Sequence, residues 1–216
     1  MKITKLVHSC LIVEHEDKKY LVDPGAYSWQ SGVVKAELLS GIDSVVVTHI
    51  HSDHLQEDFA KLIKQESPDA NWYSTAEVVE QLKSWGIEAN SSSDDTSIKF
   101  IESSHADLHP WFPEQPQHTS FVLFNDLLIG GDCHTLTSSH GARIFGAAIS
   151  GGPWGAVVGF GKMIESMTDR PEVVIPLHDW HLNDEARNGF YARLPEVLSE
   201  FGVEFVPLES GVPKDI

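Results

Sequence analysis

The first fifty residues alternate short apolar, β-branched runs with charged turns, a pattern that is typical of strands. We predict three consecutive strands at 3–7, 10–14 and 19–23, the last two joined by the charged turn 15–18. A further strand is predicted at 43–47, where Asp-Ser precedes three valines. Because β-branched side chains fit a pleated, buried surface, this part of the chain is predicted to be mainly sheet.

Apolar residues recur at helical spacing in several later segments. Helices are predicted at five places: 35–39, 55–65, 75–85, 156–167 and 184–201. Thr75 is the expected N-cap of the third helix, and Gly86 follows its last residue.

Strand patterns also continue through the rest of the chain. They fall at 71–73, 97–102, 119–124, 127–129 and 173–175. The third and fourth of these are predicted to form a hairpin across Asn125-Asp126. Strands in two groups, with helices between and after them, favour an α/β fold in which two mixed sheets are flanked by helices.

Composition favours one soluble enzyme domain spanning residues 1–216. The formal charge is −17, from 15 basic and 32 acidic side chains, which disfavours nucleic-acid substrates. No apolar run reaches the roughly 18 residues needed to cross a bilayer, and the N-terminus lacks a signal-peptide pattern. With only two cysteines there is no disulfide framework. We therefore expect a cytoplasmic protein that does not associate with membranes.

The densest chemistry lies in the segment Thr48-His49-Ile50-His51-Ser52-Asp53-His54, between the predicted strand 43–47 and the predicted helix 55–65. Imidazole nitrogen and carboxylate oxygen suit zinc, iron and manganese. His49 and His51 are two residues apart, so in an extended loop they project to the same side. Asp53 and His54, expected at the start of the helix, can face a second ion. The segment indicates a metal site.

The order His49, His51, Asp53, His54 resembles the signature of the metallo-β-lactamase superfamily, a group of metal-dependent hydrolases. Further stretches of the chain are similar to other motifs of this superfamily, and the first two of them resemble its small branch related to ascorbate-6-phosphate lactonases. They are Val7–Cys10, Leu21–Gly25, Ser103–Ala106, Ile129–Asp132 and Val174–His178. The resemblance implies a four-layer αββα sandwich and covers most of the chain.

The resemblance also implies a ligand set for two metal ions. His49, His51 and His105 would hold the first ion, and Asp53, His54 and His178 the second, with Asp132 bridging both. Two ions about 3.5–4 Å apart lower the pKa of a bound water toward neutrality, and the resulting metal-bound hydroxide would be the nucleophile. Zinc is favoured, and manganese and iron are also compatible. Asp53 is in addition the best candidate to orient the hydroxide or pass a proton to the leaving group.

Other polar residues keep open alternatives. Each of the three later ligands has an alternative to metal binding. His105 could be an ordinary loop histidine, Asp132 a turn residue, and His178 a surface histidine. His109 is disfavoured as a ligand, because the nearby Pro110 and Pro113 argue against the helix that would place it on one face with His105. His134 and His181 neighbour expected ligands and are expected to support them or face solvent. His15, His118 and His140 are interpreted as ordinary polar histidines.

His8 lies at the end of a predicted strand and is a candidate catalytic residue, as proton donor or substrate contact; a hydrogen bond that fixes a loop is an equal alternative. Asp23 is expected to orient a ligating histidine or cap a loop. Cys133 and Cys10 are expected to be half-buried small side chains.

Substrate recognition is less defined. The segment 150–155 could bind an anion at a helix N-terminus or form a tight turn, and Trp111, Phe112, Trp154 and Trp180 could line a pocket or fill the core.

We expect no large second domain of the kind that nuclease relatives carry, because the chain offers no room for one. We expect a hydrolase of small-molecule esters, lactones or phosphoesters. The alternative is a metal-binding protein without hydrolytic turnover, such as an iron redox relative or a sensor. A homo-oligomer is compatible with the sequence.

Overall fold

The computed structural model describes residues 1–107, 114–149 and 157–216. These residues form two compact units, residues 1–94 with 208–216 and residues 95–207, termed unit 1 and unit 2. Each unit contains one six-stranded mixed sheet with helices packed on it. The predicted α/β class, with two mixed sheets flanked by helices, is confirmed.

Unit 1 is built on the sheet order β12-β1-β2-β3-β4-β5. Its strands are β1 Lys2–Lys5, β2 Leu11–His15, β3 Lys18–Val22, β4 Ser44–Val46, β5 Asn71–Tyr73 and β12 Pro213–Asp215. The first four strands in this order pair antiparallel, whereas β3, β4 and β5 are parallel. The motif segment therefore leaves the sheet at the end of a parallel strand.

Four helices accompany this sheet: α1 Ala26–Gln30, α2 Ala36–Leu39, α3 Glu57–Glu66 and α4 Ala76–Ser84. Phe59 and Ile63 of α3 and Leu82 of α4 are fully buried in the core of unit 1. Side-chain caps fix the starts of α3 and α4, because Gln56 accepts from the amide of Phe59 and Thr75 from that of Val78. The predicted Thr75 cap is confirmed.

Unit 2 has the sheet order β11-β10-β9-β8-β7-β6. Its elements are β6 Ile98–Glu102, β7 Thr119–Leu123, β8 Leu127–Ile129, β9 Ile144–Ala148, α5 Val157–Ser166, β10 Val173–Leu177, α6 Asp184–Ser199 and β11 Glu204–Phe205. The predicted hairpin is confirmed as the antiparallel pair of β7 and β8. Within the described ranges, no helix has both the length and the apolar character that crossing a membrane requires.

Several elements differ from the sequence prediction. Helix α3 begins at Glu57, so Asp53 and His54 lie in a turn before the helix and not at its start. Strand β9 was missed because its glycine and alanines have low strand propensity. Close packing explains this composition, since a Cβ on Gly146 would lie 3.0 Å from Leu177 and 3.2 Å from Ile129. The short elements α1, β11 and β12 were missed as well.

A carboxylate fastens the loop before β9 to the turn after α5. The Asp169 carboxylate accepts hydrogen bonds from the Ser138 hydroxyl, the Gly141 amide, and the amide and hydroxyl of Ser139. The Ser138 hydroxyl contributes most to lowering the pKa of Asp169 from 3.8 to about 2. The ionised form is therefore the one that stabilises this loop.

We predict that this stabilisation is present above about pH 4 and is lost as the pH falls through the folded-state pKa of about 2. The Asp169→Asn variant should unfold at lower denaturant concentration than wild type at pH 6, with the difference shrinking toward pH 2. Glu80→Gln is the matched control, because the Glu80 side chain is 75% exposed. An Asp169→Asn difference that stays constant with pH would contradict the prediction.

Candidate functional site

The motif residues of unit 1 lie in the connection between β4 and α3. Its turn is closed by two hydrogen bonds, from the amides of His54 and Leu55 to the carbonyl oxygen of His51, both 2.9 Å long. His49 and His54 are fully buried, and His51 and Asp53 are partly exposed. The motif thus presents two buried and two accessible side chains from one short loop.

Asp23, which follows β3, organises this loop. Its Oδ1 accepts the amide of Thr48 at 2.8 Å, and its Oδ2 accepts the Thr48 hydroxyl at 2.9 Å. The Nδ1 atom of His54 lies 2.8 Å from the same Oδ2. Asp23 was expected to orient a ligating histidine or cap a loop, and its carboxylate contacts both His54 and the Thr48 amide of the motif loop.

These hydrogen bonds assign the protons of two imidazoles. A carboxylate only accepts, so His54 Nδ1 donates to Asp23, and in the neutral ring Nε2 carries the lone pair. The single proton of Thr48 goes to Asp23, so the Thr48 oxygen accepts from His49 Nδ1, which lies 3.0 Å away. The lone pair of His49 is therefore also on Nε2. Each ring has the orientation of a metal ligand whose other nitrogen is anchored.

In unit 1, the two Nε2 atoms that carry lone pairs lie close to other atoms that can bind a metal ion. His49 Nε2 is 3.1 Å from His51 Nδ1, and His54 Nε2 is 3.7 Å from Asp53 Oδ2. Nitrogen lone pairs at this separation repel each other unless a proton or a cation lies between them. The donor set of nitrogen and carboxylate oxygen fits a divalent transition ion.

His8 belongs to the same cluster. Its Nε2 lies 3.2 Å from Asp53 Oδ2, and candidate ligand atoms of His8, Asp53 and His54 lie within 4.8 Å of one another. The backbone of His8 has a φ of 60°, in the left-handed region, within the turn between β1 and β2. The Tyr27 ring packs edge-on against the imidazole, with 5.0 Å between ring centroids. Burial, followed by the charge of Asp53, raises the pKa of Tyr27.

Helix α1, which sequence reasoning missed, ties this turn to the motif loop. The Ser28 hydroxyl donates to the carbonyl oxygen of Val7 at 2.8 Å and accepts the amide of the same residue at 3.1 Å. The amide of Ala26 donates to the carbonyl oxygen of Ser52 at 2.8 Å. The turn with His8 and the loop with Asp53 are thus held by one short helix.

Unit 2 contains the other three expected ligands, all buried. His105 Nε2 and His178 Nε2 lie 3.5 Å and 3.2 Å from Asp132 Oδ2. His105 Nδ1 donates to the carbonyl oxygen of Ala106 at 2.7 Å, so in the neutral ring the lone pair is on Nε2. His178 has a φ of 61° directly after β10. The structure therefore brings these three residues together within unit 2, with donor chemistry that fits a divalent ion.

Three further histidines of unit 2 lie next to the expected ligands. Burial lowers the pKa of His134 below its usual value, and the nearby Asp132 carboxylate opposes this effect. His181 packs against His178 with ring centroids 5.5 Å apart, and Trp180 is 44% exposed. His118, interpreted as an ordinary polar histidine, instead bonds directly to Asp132, because its Nε2 accepts the Asp132 amide at 3.1 Å.

The remaining sequence expectations have mixed outcomes. Cys10 and Cys133 are fully buried and not half-buried, and burial raises the pKa of Cys10 well above its usual range. The expectations for His109, Trp111, Phe112, Trp154 and the segment 150–155 lie outside the described residues.

A cavity of about 340 Å³ opens in unit 2 between the end of β6 and the loop after β8. Its lining is mostly polar and consists of Glu102, Ser103, Ser104, Cys133, Thr135, Leu136, Thr137 and His140. Two of these residues, Ser104 and Cys133, adjoin His105 and Asp132 in the chain. The cavity therefore lies beside the loops that carry two expected ligands.

Comparison with known proteins identifies the family of this chain. A family model described as a β-lactamase superfamily domain matches residues 18–148, more than half of the chain. Protein Rv0786c of Mycobacterium tuberculosis is 25% identical over 98% of this chain and 99% of its own length. The N-acyl-phosphatidylethanolamine-hydrolyzing phospholipase D 1 of Caenorhabditis elegans is 30% identical over 113 residues, which are 47% of this chain and 32% of that protein.

A solved structure agrees in fold. Igni18, a metallo hydrolase from the hyperthermophilic archaeon Ignicoccus hospitalis, aligns with a TM-score of 0.67 over 100% of this chain and 98% of its own, at 18% identity. The family match and the donor chemistry of the site define the class of metal-dependent hydrolases. The chain belongs to the β-lactamase superfamily, among its members of metallo-β-lactamase fold, and the resemblance inferred from its sequence is confirmed.

Gly25 yields a first prediction for the site. A Cβ at this position would lie 1.7 Å from the carbonyl oxygen of Asp53 and 2.7 Å from the amide of His54. We expect Gly25→Ala to displace the motif loop, lower the melting temperature and weaken metal binding. Gly189→Ala in α6 is the control, since its added Cβ meets nothing within 4 Å and the substitution removes a helix-destabilising glycine. A Gly25→Ala protein as stable and metal-replete as this control would refute the expectation.

Asp23 yields a second prediction. A side-chain amide in place of the Asp23 carboxylate cannot accept all three donors, because its NH₂ group must face one of them. We expect Asp23→Asn to weaken metal binding by about 10- to 100-fold, the range found when a partner of a ligating histidine is removed. Asp43→Asn is the control, because the exposed Asp43 carboxylate accepts the Lys19 amide and lies outside the motif. Equal metal affinity of both variants, measured by titration, would contradict this role of Asp23.

Proposed function

We propose that the protein is a dinuclear metal-dependent hydrolase of a small-molecule ester, lactone or phosphoester. The observation that carries the proposal is the state of the imidazoles. In each unit a buried histidine, His54 in unit 1 and His105 in unit 2, has one ring nitrogen anchored by an oxygen acceptor and the other turned toward a carboxylate. This is the arrangement in which histidine binds metal ions.

The proposed ligands are those implied by the family resemblance. His49, His51 and His105 would hold one ion, Asp53, His54 and His178 the other, and Asp132 would contribute to both. Zinc is the favoured ion, with manganese and iron as alternatives of similar ligand preference. When bound, such ions polarise a carbonyl or phosphoryl oxygen and lower the pKa of water.

His8 and Asp53 are proposed to handle the protons of the reaction. Their side chains lie 3.2 Å apart; the His8 side chain is buried and the Asp53 side chain is 19% exposed, so a substrate would reach the pair through Asp53. A carboxylate beside an imidazole can accept a proton from an attacking water and deliver it to the leaving oxygen. The edge contact with Tyr27 and the strained turn keep the His8 ring in place.

A small substrate is favoured by size and charge. The cavity in unit 2 falls within the usual volume range of small-molecule sites, about 300–1,000 Å³. The formal charge of −17 opposes binding of nucleic acids. A phosphodiester should be tested early because one relative is named as a phospholipase D. Cytoplasmic location, independence of membranes, and a homo-oligomer as a compatible assembly remain part of the proposal.

The test combines metal analysis with a substrate screen. We expect purified wild-type protein to contain up to two transition ions per chain. Chelation should abolish hydrolysis of the responsive substrate among lactones, thioesters, esters, phosphodiesters and β-lactams, and should lower the melting temperature, because ions bind the folded state preferentially. Added zinc or manganese should restore both.

Variants separate the two ligand sets. His51→Ala in unit 1 and His105→Ala in unit 2 should each reduce the metal content and the activity, whereas His15→Ala, which removes a histidine outside the proposed site, should not. Hydrolysis that persists after verified metal removal would refute the proposal. A coloured iron protein that consumes oxygen and hydrolyses none of the substrates would support the redox alternative instead.

A further inference from the structure

The loop that carries Asp132 begins with two glycines, which have no side chains to hold it in place. Gly130 and Gly131 directly follow β8, and Gly131 has a φ of 54°. Glycines give the backbone wide conformational freedom. A metal ligand has to be held within about 0.5 Å of its productive position. The position of the Asp132 carboxylate therefore depends on contacts made by other residues.

We propose that His118 is a positioning residue for Asp132, an inference that rests on the proposed function because it assumes that Asp132 binds metal. The Nε2 atom of His118 lies 3.1 Å from the Asp132 amide, which can only donate. Nε2 is therefore the acceptor, and the proton of the ring is on Nδ1. The tautomer of His118 is fixed by the backbone of the residue that it holds.

The other side of the His118 ring continues into a chain of hydroxyl groups. Nδ1 lies 2.9 Å from the Ser103 oxygen, which accepts its proton. The Ser120 hydroxyl lies 2.9 Å from Ser103 and donates to the carbonyl oxygen of Gly130 at 3.0 Å. The chain of contacts begins at the Asp132 amide and returns to Gly130. It therefore clamps both ends of the glycine pair to β7 and to the residue after β6.

Two further contacts connect these hydrogen bonds to the expected ligands Asp132 and His105. The carbonyl oxygen of Asp132 accepts the amide of Ala106 at 2.8 Å, so both peptide groups of Asp132 are fixed. The rings of His118 and His105 meet edge-on, with 6.0 Å between centroids. His118 thus contacts two of the three expected ligands of unit 2, and its removal should disturb metal coordination more than overall folding.

Substitutions of matched size test this role. His118→Phe keeps an aromatic ring but removes the acceptor, whereas the Gln side chain of His118→Gln can place an amide oxygen near the Nε2 position. Titration of metal-free protein with cobalt(II), followed by its visible absorption, reports affinity and coordination geometry together. We expect His118→Phe to lose about 10- to 100-fold in cobalt affinity with an altered spectrum, and His118→Gln to recover much of both. His15→Phe controls for the loss of a histidine.

A second measurement needs no variant. Nitrogen NMR of wild-type protein labelled at histidine should show His118 as the tautomer with its proton on Nδ1. A proton on Nε2 would overturn the proposal, because the Asp132 amide would then have no acceptor on this ring. Equal cobalt affinity and spectrum in wild type and folded His118→Phe would overturn it as well. Absence of cobalt binding by wild type would refute the proposed function and this role with it.

Discussion

The structure of the proposed site in unit 1 depends on the buried carboxylate of Asp23. This group is fully shielded from solvent, and an isolated charge in such a place is costly. Three hydrogen bonds offset the cost, from the Thr48 amide, the Thr48 hydroxyl and His54. Because these donors belong to the motif loop, solvation of Asp23 and orientation of the loop are the same event. A loop displaced by an ångström would leave the carboxylate unsatisfied.

Backbone strain at the expected site residues shows that the surrounding structure determines their conformation. His8, Asp23 and His178 all have φ angles between 44° and 61°, which are unfavourable for residues with a Cβ. Such conformations cost about 1–3 kcal/mol each and persist only where packing and hydrogen bonds impose them. In unit 1 those constraints are Ser28 on the His8 turn and the Thr48 and His54 contacts of Asp23. Three residues singled out by their chemistry are thus also ones whose backbone is forced.

Sequence reasoning succeeded where one local signal dominates. Valines at 45–47 predicted a strand, Thr75 predicted a cap, and the spacing of His49, His51, Asp53 and His54 predicted donors on one loop. It failed where long-range packing decides. Strand β9 contains Gly146 because Leu177 and Ile129 leave little room for a side chain there, and α1 is too short to show a helical period. His118 gave no signal at all, since its partner Asp132 is 14 residues away and reached only through the fold.

Unit 1 is discontinuous in the chain, whereas unit 2 is a single stretch. Strand β12 pairs with β1, and the amino group of Met1 donates to the carbonyl oxygen of Ile216. During synthesis on the ribosome, residues 95–207 leave the exit tunnel before β12 does. The edge strand of the first sheet is therefore added last, and β1 waits with an unpaired backbone edge while most of the chain is made.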